Sequence, residues 1–168
     1  MANQISAIDI KQLWHTEPLT QVPTVPPKGT EIKNVHQDTW SIDEAEPSQD
    51  SYRNQLTGMV YRRGTKTMGE VTFSFTIGRY DFVTKAALMG GTVIMDGDKA
   101  VGWERSKTPV TKRLCLTALT EDGVYCVLTN ADIVAREANT DGAVGIAVTA
   151  LALEPENEEI SSEYWFNS

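Results

Sequence analysis

The sequence contains few of the residue types that most often carry enzymatic chemistry. Two cysteines and two histidines occur among 168 residues, and neither histidine lies near a nucleophile motif such as Gly-x-Ser-x-Gly. The spacings Cys-x-x-Cys and His-Glu-x-x-His, the calcium-binding loop and the glycine-rich phosphate loop do not occur either. We therefore expect a protein that is not an enzyme and that binds no metal or cofactor.

Long hydrophobic runs and an excess of positive charge are also missing. No stretch of about 18 apolar residues is present, so we expect no membrane span. The first residues lack the basic start and apolar run of a signal peptide, which predicts synthesis in a cytoplasm. The formal net charge of −8 argues against binding of nucleic acid or an anionic membrane through a basic surface.

The two cysteines fit a reducing compartment. If Asp122 and Gly123 form a two-residue hairpin loop, Leu119 faces Cys126, and Cys115 lies about 13 Å from Cys126 on the same face of the sheet. This separation exceeds the reach of a disulfide bond. We therefore expect two reduced, buried thiols.

Residues 71–77 alternate between apolar and small hydroxyl side chains, the period-two pattern of a β-strand with one face in a core. The apolar set is Val71, Phe73, Phe75 and Ile77. The hydroxyl set is Thr72, Ser74 and Thr76. A strand face in bulk water usually carries charged side chains, so we expect the hydroxyl face to contact another surface.

Residues 145–153 are apolar on both faces, which predicts a strand that is covered on both sides. Its small side chains allow a second surface to approach closely. Together the two strands supply the candidates for a subunit interface or a channel lining: Thr72, Ser74, Thr76, Ala147 and Thr149.

Turn residues indicate an antiparallel protein. Three Asp-Gly pairs, which favour tight hairpin turns, lie between extended runs: Asp96-Gly97, Asp122-Gly123 and Asp141-Gly142. Residues 124–129 and 132–138 are predicted as separate strands. A helix at about residues 81–89 is capped by Asp81 and ended by Gly90. The predicted fold class is all-β, mainly antiparallel, a two-sheet sandwich or incomplete barrel with one short α-helix, a long loop and an N-terminal arm.

The chain divides into three segments. Residues 1–30 are predicted to form a proline-rich arm, residues 31–153 the β-sandwich domain, and residues 154–168 an acidic linker and an aromatic C-terminal segment. The arm is too apolar for a solvated tail, so it docks either across its own sheet or on a neighbouring subunit. The candidate docking residues of the arm and tail are Leu13, Trp14, Val22, Val25, Tyr164, Trp165 and Phe166.

A polar stretch at residues 43–58 has no clear periodicity, which is typical of a long exposed binding loop. Residues 59–66 follow it and are expected to form a hairpin with the strand at residues 71–77, because glycines at positions 64 and 69 separate the two runs.

These features, in this order over roughly residues 30–153, resemble the major tail tube proteins of long-tailed bacteriophages and the related tubes of contractile injection and type VI secretion systems. The resemblance rests on the paired strands, the polar loop, the alternating strand "GEVTFSFTI", the short helix ending "ALMGG" and the hairpin-rich second half closing in "GIAVTALAL". It implies that six copies join their sheets edge to edge in a ring and that rings stack into a hollow tube.

The same resemblance implies partners and a location. DNA would pass through an acidic lumen without specific binding, tape-measure and terminator proteins would be further partners, and the protein would reside in the virion tail after synthesis in the bacterial host cytoplasm. By the same resemblance the polar loop would bridge stacked rings, with the candidates Glu44, Glu46, Asp50, Tyr52 and Arg53.

Two other functions stay open. A ligand-binding β-module, for a glycan or a protein partner, would use some of the four tryptophans as stacking platforms. A tail terminator or head-completion protein on the same fold would cap the tube instead of extending it.

Overall fold

The computed structural model describes residues 4–167, which form twelve strands and one helix. The ends of the predicted arm and tail, residues 1–3 and 168, lie outside the described residues. The strands are Ile10–Thr16 (β1), Thr30–Glu31 (β2), Ser41–Glu44 (β3), Ser51–Arg53 (β4), Val60–Arg63 (β5), Val71–Ile77 (β6), Thr92–Asp96 (β7), Lys99–Glu104 (β8), Lys112–Thr120 (β9), Val124–Thr140 (β10), Ala143–Ala152 (β11) and Glu163–Asn167 (β12), and the helix is Phe82–Met89 (α1).

Eight of these strands form one antiparallel sheet in the order β2-β1-β9-β10-β11-β6-β3, with β12 paired to β10. Two-stranded ribbons, β4–β5 and β7–β8, complete the structure, and the described strands do not close into a barrel. The predicted fold class is therefore confirmed.

The long strand β10 organises the sheet. It joins two segments that were predicted as separate strands, because a bulge between Leu128 and Ala131 carries the chain on without a turn. Before the bulge β10 pairs with β12, and after it β10 pairs with β11. The bulge is thus the point at which the strand beside β10 changes from β12 to β11.

One hydrophobic core lies against the inner face of the sheet. It contains fully buried side chains from the five neighbouring strands β1, β9, β10, β11 and β6, among them Leu13, Leu116, Ile146 and Phe73. Helix α1 is only eight residues long and cannot cover so wide a face. Residues 32–36, which follow the edge strand β2, reach β6 near the other edge: Val35 forms a bridge with Ile77, and the N–H of His36 donates to the carbonyl of Thr76 at 2.7 Å. The sheet therefore curves over the core, as in an open sandwich.

Helix α1 begins and ends as predicted. The side chain of Asp81 accepts a hydrogen bond from the backbone N–H of Thr84 at 2.7 Å, which satisfies a free donor of the first turn. Gly90 ends the helix with a positive φ of 78°.

The three predicted hairpin turns can be compared residue by residue. Asp96 pairs with Lys99, so the turn between β7 and β8 consists of Gly97 and Asp98, one residue later than the Asp-Gly pair. Asp141 and Gly142 form the predicted two-residue turn, with φ angles of 51° and 85°. The loop after β9 is one residue longer than predicted, because Leu119 faces Tyr125 and not Cys126. This shift moves Cys126 to the opposite face of the sheet from Cys115, so the predicted shared face is wrong.

Both thiols are nevertheless free and buried, as predicted. Burial raises the pKa of Cys115 to about 12, and burial together with the nearby Glu163 carboxylate also raises the pKa of Cys126. Since the thiolate is the reactive species, we expect neither cysteine to react with a thiol reagent at pH 8 in the folded protein. Both should react within minutes in denaturant, and rapid labelling of the folded chain would contradict this burial.

The structure places part of the predicted arm inside the sheet. Residues 10–16 form β1, which pairs with β9. This position buries Leu13 in the core and Trp14 on the opposite face of the sheet, and the burial of both side chains stabilises the pairing. The chain then folds back over Trp14, where the Nζ atom of Lys28 lies 5.2 Å from the ring centroid. These residues therefore dock on their own sheet, whereas Val22 and Val25 remain exposed.

The aromatic tail also docks on its own sheet. Residues 163–167 form β12 along the first half of β10. The rings of Tyr164 and Phe166 stack with their centroids 6.1 Å apart, and Trp165 remains 40% exposed. Strand pairing explains this position, because it satisfies backbone groups that a separate terminal segment would leave to water.

Candidate functional site

The structure brings all five candidate interface residues together on one face of β6 and β11. Thr76 lies directly opposite Ala147, and Ser74 lies opposite Thr149. Directly opposed residues of antiparallel strands point to the same side of a sheet. Thr72, opposite Leu151, completes a surface that we call the neutral strip: Thr72, Ser74, Thr76, Ala147, Thr149 and Leu151.

The neutral strip lies on the outer side of the sheet. Thr149 is exposed and the other five residues are half-buried, while Phe73, Phe75 and Val148 on the inner side of the same strands are buried. The chain itself therefore buries one face of β11 and leaves the other only half-buried, so the prediction that a second surface covers this outer face stays a prediction. An uncharged face of this kind can contact another surface without removing a charge from water.

Charged side chains lie beside the neutral strip, not within it. Asp43 on the edge strand β3 is opposite Thr72. On β10, Asp132 is opposite Leu151 and Arg136 is opposite Ala147. Val134, between these two on the same face of β10, is 54% exposed, so the uncharged surface extends onto β10 at this one position.

The predicted polar loop, residues 43–58, begins within β3 and then forms the first half of a long β-hairpin. We call this hairpin, residues 45–70, the exposed hairpin. It continues the β3–β6 pair through a hydrogen bond from the backbone N–H of Ala45 to the carbonyl of Glu70 at 2.9 Å and a bridge between Ser48 and Thr67. It then forms the β4–β5 ribbon, so the prediction that residues 59–66 pair with residues 71–77 is wrong. Every residue of β4 and β5 is exposed.

The ring-stacking candidates lie along this hairpin. Glu44 ends β3, Glu46 and Asp50 are in the segment before β4, and Tyr52 and Arg53 are in β4 itself. A turn closes the tip, where the backbone N–H of Gly58 donates to the carbonyl of Asn54 at 2.7 Å.

Sequence reasoning missed the apolar side chains of the exposed hairpin. Six large apolar residues are exposed there: Tyr52, Leu56, Met59, Val60, Tyr61 and Met68. The signal was present in "MVYRR" at residues 59–63, but that segment was assigned to the core-facing sheet. Exposed apolar side chains in this number on one hairpin are typical of interaction surfaces.

The exposed hairpin also differs in charge from the rest of the chain. Residues 51–68 contain four of the 15 basic residues and none of the 23 acidic ones, so the remaining chain carries 11 basic against 23 acidic residues. The basic residues are Arg53, Arg62, Arg63 and Lys66. The base of the hairpin also carries Glu46, Asp50 and Glu70, so only its outer part, residues 51–68, is basic. This outer part favours contact with an acidic surface.

The tryptophans that suggested a sugar-binding platform have separate structural roles. Trp14 is buried, Trp40 packs edge-to-face on Phe73 with ring centroids 5.7 Å apart, and the Nε1–H of Trp103 donates to the carbonyl of Gly90 at 2.9 Å. Trp165 is the remaining one, and its Nε1–H donates to Glu163 at 2.7 Å.

Neither histidine lies in a cluster of catalytic groups among the described residues. His36 Nε2 lies 2.8 Å from Asp141 Oδ2, which ties the segment before β3 to the turn between β10 and β11. Burial lowers the pKa of His15, and the nearby Glu17 opposes this effect. Within residues 4–167, no group of three or more His, Cys, Asp or Glu side chains is placed to hold a metal ion.

None of the described helices has the length and apolar character needed to cross a membrane. In comparisons with protein-family models and with curated proteins, the chain matches none.

Proposed function

We propose that the chain is a structural subunit of a phage or prophage tail tube that assembles by contact between copies of itself. Six copies would form a ring, rings would stack into a hollow tube in the virion tail, and DNA would pass through without specific binding. Tape-measure and terminator proteins would be the other partners. Synthesis would take place in the bacterial host cytoplasm.

The observation that supports the proposal is the neutral strip. Two adjacent strands present an outer face without charge, although the chain as a whole carries a net charge of −8. Within the described residues this face stays partly exposed, and its hydroxyl groups can form hydrogen bonds with a neighbouring surface. A second copy, or the wall of a channel, accounts for both properties.

Two further features agree with this proposal. The exposed hairpin extends well beyond the core and carries apolar side chains, which suits a contact between stacked rings. The excess of acidic residues outside the hairpin would give a ring a negative wall that repels phosphate groups, so that DNA slides without binding.

An arginine in the neutral strip tests the proposal. We expect Thr76→Arg to raise the protein concentration needed for assembly by about tenfold or more, because the contact would have to desolvate a charge. Thr92→Arg, at an exposed position of β7, is the matched control and should assemble like the wild type. Assembly is scored by negative-stain microscopy and sedimentation of concentrated protein, with equal urea midpoints showing that both variants fold.

The outcomes separate the possible functions. Rings or hollow filaments that Thr76→Arg alone weakens support a tube subunit, whereas rings that never extend indicate a terminator. If the wild type stays monomeric at high concentration, or Thr76→Arg assembles normally, the tube proposal is wrong. Saturable quenching of tryptophan fluorescence by an oligosaccharide would then favour a ligand-binding module.

A further inference from the structure

A cavity of about 440 Å³ lies beside the bulge of β10. Residues 18–20, which follow β1, and residues 155–157, which precede β12, form its two sides. The two segments are joined by a hydrogen bond from the side-chain amide of Asn157 to the carbonyl of Thr20 at 3.2 Å. We call this space the arm–linker cavity, and its apolar walls are Pro18, Leu19 and Pro155.

Asn130 of the bulge lines this cavity and has an unused acceptor. The residue is 4% exposed, and its Nδ2 donates to the carbonyl of Glu154 at 3.1 Å. Its Oδ1 is buried and has no hydrogen-bond partner among the described residues. A buried acceptor without a partner is costly, so a donor group inserted between the arm and linker segments, which cover this oxygen, would satisfy it.

The surroundings of the cavity are acidic. Glu156 lines it, and three further glutamates lie in the same linker: Glu154, Glu158 and Glu159. Arg113 also lines the cavity opposite Asp132 in the strand register, so the excess negative charge lies in the linker at the rim of the cavity. An occupant that combines an apolar group, a hydrogen-bond donor and positive charge fits this environment best.

The tip of the exposed hairpin has these three properties. Leu56 is 93% exposed, so it touches almost nothing in its own chain. Gln55 beside it carries a side-chain amide that can donate, and Arg53 precedes both in β4. No acidic residue occurs between positions 51 and 68.

We propose that the hairpin tip of one copy inserts Leu56 into the arm–linker cavity of a second copy, with Gln55 near Asn130 and the hairpin arginines near the acidic linker. This contact joins two different patches of the same chain, so it can repeat from copy to copy. It rests on the proposed self-assembly and specifies the surface that receives the hairpin.

Cysteine cross-linking tests the contact directly. Leu56→Cys protein is mixed with Glu156→Cys protein at high concentration under a mild oxidant, and both native cysteines are buried. We expect a disulfide-linked dimer of the two variants, several-fold more abundant than with the control partner Lys99→Cys, whose cysteine lies at the exposed start of β8. Equal yields with both partners would overturn the proposal.

A second pair of variants tests the contact without a new bond. Leu56→Asp should weaken assembly because it places a carboxylate against an acidic surface, whereas Leu56→Met should retain it because it conserves an apolar tip. Assembly that is insensitive to Leu56→Asp would overturn this contact and leave the tube proposal intact. Absence of any assembly by the wild type would instead refute the tube proposal itself.

Discussion

Replacing Phe73 with alanine should lower the free energy of unfolding by about 3–5 kcal/mol. The Phe73 side chain is 0% exposed, and its ring packs edge-to-face against Trp40 and Phe75 at centroid distances of 5.7 and 5.9 Å. Its cross-strand neighbour Ala150 is too small to fill the space left by the ring. Urea denaturation followed by circular dichroism measures the loss.

The matched control is Ser74→Ala, one residue further along the same strand. Ser74 points to the outer face, so its replacement should change the free energy of unfolding by less than about 0.5 kcal/mol in the monomer. If both variants lost the same stability, the assignment of the two faces of β6 would be wrong.

The difference between the buried inner face and the outer face of β6 explains why the alternation at residues 71–77 predicted the strand correctly. Each apolar side chain of the pattern must enter the core once one of them does, because the side-chain period of a strand is two. Local signals were equally sufficient for α1, where Asp81 and Gly90 set the ends, and for the Asp141-Gly142 turn. In these cases the deciding interactions lie within a few residues.

The exposed hairpin could not be predicted in the same way. Its strands β4 and β5 bury no face, so there is no hydrophobic alternation to detect. The hairpin exists because β3 and β6 pair at its base, which is a contact between distant parts of the chain. The sequence predicted an exposed, functional segment, but not its strand pairing.

Strand β10 shows a second limit of sequence reasoning. Thr129 and Asn130 looked like a break between two strands, yet the chain continues, because neighbouring segments satisfy the bulged backbone. The N–H of Leu19 donates to the carbonyl of Thr129, and the N–H of Leu153 donates to that of Asn130. These partners come from the arm and from the end of β11, so no local pattern could reveal them.

Register is the third limit. One additional loop residue after β9 reversed the face assigned to Cys126, because a shift by one residue exchanges the two faces of a strand. The alternation within β6 protected its own faces from this error. The candidate interface residues were named from the sequence, but their meeting on one surface depends on the pairing of β6 with β11, a long-range contact that no local pattern predicted, and the same holds for the arm–linker cavity.

Replacing Glu137 with glutamine should destabilise the fold by about 1–2 kcal/mol, below the roughly 3–5 kcal/mol of a fully buried ion pair. The Lys85 side chain is 9% exposed and its Nζ donates to Glu137 Oε1 at 2.8 Å, so the variant leaves a buried ammonium without its counter-charge. The ring of Trp103, 4.4 Å from Nζ, offsets only part of this loss. Glu137 itself is 39% exposed, which is why the lower value is expected.

The control and the pH dependence identify the cause. Lys85→Met removes the charge but keeps the aliphatic stem, so it should cost clearly less than Glu137→Gln.

The hydrogen bond and charge of Lys85 lower the pKa of Glu137. The pair therefore stabilises the wild type above the ordinary glutamate pKa of about 4.3 and is lost as the pH falls through the lowered value. Urea midpoints measured from neutral to acidic pH should show this loss in the wild type and its absence in Glu137→Gln; parallel curves would mean that the pair contributes no net stability.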